Sequence, residues 1–226
     1  MATIEISSLS EFCTIIDEYQ NSVLFRGQSS REDSLKPRIG RIDYTAKHFS
    51  TFENKLMQLF QQRSIPYITR QPQNDWEWLA LAQHYGLPTR LLDWTRNPLV
   101  AAYFAVEKEY TSDSVIIAYK SKKLINPKKY LEKNPYSMDE VIKFYPAHIT
   151  PRIIAQSGVF TLHPEPNKPL ESLPEEKPNI DFLIIPNNIR KKFKNTLNRF
   201  GIDRGSLFPD LDGLSRHIEW LTTNSH

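Results

Sequence analysis

The segment "SVLFRGQ" sets Arg26 at the end of a short apolar run, directly before Gly27. An arginine carries a permanent charge and five donors in a planar fork, which suits a phosphate or a ribose. A glycine beside it lets a ligand approach the backbone. On the tripeptide alone, an arginine bonded to carboxylates or carbonyls of its own chain is the simpler reading. A second polar group lies in "TRLLDWTRNPLVAAYFAVEKEY", where Asp93, Trp94 and Thr95 end one apolar run just before a helix start. Free N–H groups and the helix dipole there attract an anion. Asp93 and Thr95 either orient a substrate or merely brace the turn, and Trp94 offers a flat stacking surface. In "QHYG", His84 is a candidate acid/base group or a donor to the last carbonyls of its helix, and Tyr85 is a candidate for stacking. In "PRIIAQSGVF", Gln156 precedes a strand. It can hydrogen-bond hydroxyls but has no charge with which to act as a base.

These residues need elements to hold them. "SLSE" at 8–11 has the form of a capping box, followed by Phe12, Ile15, Ile16 and Tyr19 at helical spacing. A strand is expected from Val23 to Arg26, broken at Gly27. "LKPRIGR" reads as a turn. A helix from about Tyr44 to Arg63 would turn Phe49, Phe52, Leu56 and Leu59 inward. "NDWEWLALAQHYG" is a helix capped by Asn74 or Asp75 and stopped at Gly86. "TRLLDWT" is a strand. Asn97 as N-cap and Pro98 at the first helical position then start the alanine-rich helix. Further strands are expected at 114–120, 158–164 and 181–186. The stretch 121–150 reads as an excursion with a short helix, and 166–178 as a proline-rich loop. An amphipathic helix runs from Asn187 to Phe200 and is closed by Gly201. Its buried stripe is Ile189, Phe193 and Leu197, and its charges form a solvated side. A short helix follows at 213–221. No repeat and no break in composition separates two cores. The expectation is therefore one α+β domain over 1–226, with a helical first half to about 110 and a strand-rich second half around one core.

The 226 residues are 39% hydrophobic and 24% charged, with net charge +3 and pI near 8.8. The mild positive balance is compatible with an anionic ligand and too weak to argue for general nucleic-acid binding. The basic run Arg190, Lys191, Lys192 and Lys194 leaves a nucleic-acid contact open. The one cysteine, Cys13, falls in an apolar helical pattern and is read as a buried thiol in a reducing compartment. No apolar run has the length of a membrane span, and "MATIEISSLSEF" lacks the pattern of a secretory signal. A cytoplasmic protein with no membrane partner is expected. No Gly-rich phosphate loop and no zinc-spaced Cys/His cluster is present, so no metal ligands are assigned.

Taken together, "LFRGQ", "LKPRIGR", "WLALAQHYGLPTRLLDWTRNPLVAAYFA", "TPRIIAQSGVFTLHP" and "GIDRGSLFPDLDGLSRHIEWL" resemble the FRG domain family. More remotely, the order of an aromatic–Arg–Gly strand, a polar-ended strand and a third polar residue before a strand is similar to ADP-ribosyltransferases of the Arg–Ser–Glu type. That resemblance implies a split, mixed or antiparallel central sheet with several helices. It implies NAD as a substrate and transfer of ADP-ribose to a protein or nucleic-acid acceptor, as a toxin or phage-defence effector would perform. Arg26 with Gly27 would hold the NAD, and Asp93 and Thr95 would occupy the middle motif. Gln156 would occupy the catalytic third position. Two departures stand out: "DWT" replaces Ser-Thr-Ser, and a glutamine replaces the glutamate. A neutral amide stabilises a cationic ribose far less than a carboxylate. Asp93 or His84 is then the alternative catalytic group. A non-catalytic module binding a nucleotide or nucleic acid, with Trp94 and Tyr85 stacking, is the rival reading.

Overall fold

The computed structural model describes residues 1–43, 49–108, 111–121, 124, 133–146 and 150–224. In chain order the strands and α-helices are β1 (Thr3–Glu5), α1 (Leu9–Asp17), β2 (Leu24–Gln28), α2 (Phe49–Ser64), α3 (Asp75–His84), β3 (Leu91–Thr95), α4 (Pro98–Val106) and β4 (Ser114–Tyr119). Then come β5 (Ile142–Phe144), α5 (Pro151–Ala155), β6 (Gly158–Leu162), β7 (Ile180–Ile185), α6 (Asn187–Arg199), α7 (Arg204–Leu207) and α8 (Leu211–Asn224). The expected start of α2 at 44–48, and most of the excursion at 121–150, lie outside the described residues.

The strands form one mixed seven-stranded sheet in the order β1-β7-β4-β2-β3-β6-β5. Among the described strands, β1 and β7 pair in parallel and the other pairs are antiparallel, and the fold is α+β. Among the described residues, strands and helices occur on both sides of residue 110. The central strand β4 is buried along its length, as its unbroken apolar run "SVIIAY" requires. The sheet is nearly split. β2 pairs with β4 over all five of its residues, and β3 pairs with β6 over all five of its own. β2 and β3 meet at the one pair Phe25–Thr95 and then part.

Helix α4 lies against β2. Gly27 sits inside the strand instead of breaking it, because a Cβ there would stand 1.9 Å from the Ala101 carbonyl oxygen and 2.5 Å from the Ala105 nitrogen. The close approach that this glycine permits is therefore one of helix to sheet. Phe25, Ile116, Ala118, Leu183 and Ile185 pack with α4, Phe12 of α1 and Phe193 and Leu197 of α6. The alternate residues of the same strands, Leu24, Val115, Ile117 and Ile184, join Leu92 and Trp94 in a second cluster. Trp76, Leu79, Leu91, Phe144, Phe160 and Leu162 make a third, against α3.

The helix signals hold with some changes. Asn74 and Asn97 accept from the backbone nitrogens of Glu77 and Leu99, and Gly86 and Gly201 end their helices at φ 78° and 74°. Ser8 accepts from the Glu11 nitrogen, but the Glu11 carboxylate returns to the nitrogen and hydroxyl of Ser7, not to Ser8. Cys13 is exposed, not buried, because it lies about 100° round α1 from the inward-facing Phe12. In α2 Glu53, Met57 and Ser64 are buried, whereas Leu59, expected inside, is exposed; the side chain of Phe49 lies outside what is described. The reason is electrostatic: Arg90 donates to both carboxylate oxygens of Glu53, and that buried pair fixes which side of α2 faces the sheet. The charged side of α6 is also not simply solvated. Arg190 is 5% exposed and donates to the carbonyls of Ser29, Ala105, Lys108 and Ser112. Lys194 donates to the Glu107 carbonyl. The last helix, expected at 213–221, extends over Leu211–Asn224.

Candidate functional site

The parting of β2 and β3 creates a cleft of about 690 Å³, within the range of small-molecule sites. Its wall includes Arg26 and Gly27 of β2, Asp93, Trp94 and Thr95 of β3, His84 and Tyr85 at the end of α3, and Gln156 after α5. These eight candidate residues thus border one cavity, although they perform different jobs there, while the basic run Arg190, Lys191, Lys192 and Lys194 does not line it.

Arg26 bridges the gap. Its Nη1 donates to the Asp93 carbonyl at 2.7 Å and stands 3.8 Å from the Asp93 carboxylate. A ladder bond between the strands is replaced by a side chain. The Arg26 side chain is 19% exposed and its Nε has no hydrogen-bond partner. Burial draws its pKa down and the Asp93 charge opposes this, so the guanidinium remains a cation. Asp93 is 58% exposed and its carboxylate accepts from Gln83 Nε2 at 2.7 Å. Gln83 Oε1 in turn accepts from the Thr89 hydroxyl. Asp93 is a carboxylate facing solvent, with its orientation fixed from below.

Thr95 serves as a brace. Its hydroxyl donates to the Gln156 carbonyl at 2.7 Å and accepts from the Asn97 nitrogen at 2.9 Å. Trp94 is not a stacking surface. It is 3% exposed, donates its Nε1–H to Thr161 and packs against Tyr119. Alternation explains this: Leu92 and Trp94 share the core face of β3, and Asp93 and Thr95 the other. Thr161 also bonds His163, whose pKa is pushed down to about 3 by burial and by the Arg26 charge. Gln156 donates its Nε2–H to the Leu207 carbonyl and so ties α5 to α7. The following Ser157 takes φ 48°, which turns the chain sharply into β6.

His84 does not cap its own helix through its ring, whose Nδ1 lies 3.4 Å from the Thr150 hydroxyl. Burial, then the charge of Arg152, lower its pKa, so it is a neutral base at pH 7. Tyr85 is 64% exposed at the rim, with its ring edge-on to His84.

Sequence reasoning missed the residues that complete the wall. Gln28 is buried, borders the cleft and leaves its Oε1 without a partner. By strand alternation it shares a side of β2 with Arg26, which was a usable signal. Arg152 lies in a five-residue helix too short to register as a pattern, and Glu107 and Lys108 follow the end of α4. No helix among the described residues is long and apolar enough to cross a membrane.

No match to a curated protein or to a solved structure was found. A family match covers residues 21–114, from just before β2 to the first residue of β4. It takes in Arg26, His84, Tyr85, Asp93 and Thr95, while Arg152 and Gln156 stand outside it. The segment that builds the arginine-bridged side of this cleft, residues 21–114, matches the FRG domain family.

Proposed function

We propose that the cleft binds NAD as a substrate and transfers its ADP-ribose to an acceptor, in the manner of an ADP-ribosyltransferase. The observation that carries this reading is the Arg26–Asp93 pair. A cation suited to phosphate sits 3.8 Å from a carboxylate held in the same open cavity. In the transfer, the bond between ribose C1′ and the nicotinamide nitrogen breaks, and its electron pair leaves with nicotinamide. Positive charge develops on the ribose, and Asp93 is the carboxylate placed to face it. The acceptor's nucleophile then bonds C1′ and gives up its proton. His84, neutral at pH 7, is the adjacent base. Gln156 takes no part in the chemistry under this reading, because its amide holds the Leu207 carbonyl. A macromolecular acceptor would make the protein an effector of the toxin or phage-defence kind.

Calorimetry with NAD, together with an assay for released nicotinamide, tests the reading. Arg26→Gln is expected to weaken NAD binding by about tenfold or more, the loss of a charged hydrogen bond. Asp93→Asn is expected to bind NAD and to slow nicotinamide release by about a hundredfold. Wild-type protein that binds no NAD sinks the proposal. Binding without release, unaffected by Asp93→Asn, identifies the second reading, a non-catalytic nucleotide module. That alternative is favoured by the committed amide of Gln156 at the position where the transferases carry a glutamate.

A further inference from the structure

Most cations around the cleft are already engaged by the protein. Of those that line it, Arg26 holds the Asp93 carbonyl and Arg41 donates to the carbonyls of Lys36 and Ser34, while Lys108 is exposed at the rim; Arg204, behind the cleft, pairs with Glu107 and Asp212. Arg152 differs. It borders the same cleft, is partly buried, and its guanidinium makes no hydrogen bond or ion pair with any described residue. What holds it is an aromatic face: its guanidinium carbon lies 4.3 Å from the centroid of the Phe208 ring. Arg204 lies at 4.3 Å from the same centroid. Stacking of this kind fixes the guanidinium while leaving its edge donors unused. A partly buried cation kept without an anion is costly, and two guanidiniums on one ring repel each other. The arrangement is stable only to the extent that surrounding groups compensate. The carboxylates of Asp93, Asp210 and Glu107 do so from a distance without pairing.

We propose that Arg152 is the second anchor of the anion site, so that the cleft holds a diphosphate, with one phosphate group on Arg26 and the other on Arg152. The inference rests on the reading of the cleft given above and adds to it the residue, Arg152, that would make the site prefer a pyrophosphate to a monophosphate. It also gives the C-terminal segment a role at the site. Phe208 is held where α7 meets α8, and Gly213 exists there because a Cβ would stand 2.0 Å from the Phe208 carbonyl oxygen.

The test is calorimetry on the full chain with inorganic pyrophosphate, inorganic phosphate and NAD. Wild type is expected to bind pyrophosphate at least about tenfold more tightly than phosphate, since a second charged hydrogen-bonding group adds that much. Arg152→Gln should bind both alike, with its phosphate affinity changed less than about twofold. Arg152→Lys, which keeps the charge but loses the planar stack, should recover part of the preference. A preference that survives in Arg152→Gln, or that wild type lacks, overturns the inference. If Arg152→Gln does not give a normal melt, the lysine variant decides: an undiminished preference there overturns the role of the stack. NAD bound equally by wild type and Arg152→Gln would leave the nucleotide reading standing and this inference fallen. Pyrophosphate preference that depends on Arg152, with no binding of NAD, would do the reverse.

Discussion

His163 shows how a single side chain beneath the cleft ties stability to pH. It is 1% exposed, shares the Thr161 hydroxyl with Trp94, and is kept neutral by burial and by Arg26. Its pKa is about 3 in the folded protein, against an ordinary value of about 6.5 in an unfolded chain. Between these values the unfolded chain binds a proton that the folded one refuses. Stability is therefore complete above about pH 6.5 and is lost as pH falls toward 3. The slope for one proton is about 1.4 kcal/mol per pH unit, so about 2 kcal/mol should go between pH 7.5 and pH 5. His163→Gln retains an acceptor for Thr161 and has nothing to protonate. Urea midpoints of the two proteins at both pH values give the measurement. The variant should lose about 2 kcal/mol less than wild type, and an equal loss would remove His163 as the cause.

At the scale of elements, helix α2 is joined to the residue preceding β3 by the Glu53–Arg90 pair, whose side chains are 2% and 7% exposed. Arg90→Met leaves a buried carboxylate uncompensated and should cost about 3–5 kcal/mol, while Glu53→Met with Arg90→Met should recover most of it. Chemical denaturation of both variants checks this, and a double variant no better than the single one contradicts it. The same pair marks where the sequence stopped being legible. Strands β3, β4, β6 and β7 and helices α3, α4 and α6 could be read because apolar runs end at Asn, Gly or Pro, whose caps are local chemistry. The buried side of α2 could not, since a glutamate inside the core is visible only once its arginine partner 37 residues on is placed. β1 and β5 have three residues each, too few to display a period of two, and their partners in the sheet are remote or follow an ambiguous stretch. For the site, Arg26 and Asp93 were legible from residue type and position, because each ends an apolar run with a charge. The burial of Trp94 required its strand's register. The stacked Arg152 required a ring 56 positions later in the chain.

Across the whole molecule, the sheet consists of a four-strand half, β1-β7-β4-β2, and a three-strand half, β3-β6-β5, fastened by Phe25–Thr95 and by Arg26. Amides of β2 that point toward β4 sit in a full ladder, and those that point toward β3 beyond Phe25 face the cleft. Hydrogen exchange resolved by residue should therefore alternate along Leu24–Gln28, with slow amides toward β4 and fast ones toward β3. Pyrophosphate should slow the fast set. Uniform protection along the strand would contradict this description of the seam. A joint of that shape behaves as a pair of shears. The pivot is the rung at Phe25, and Gln28 lies about 10 Å out along one blade. A small rotation at the pivot would become a larger change in span at the tips than near the rung.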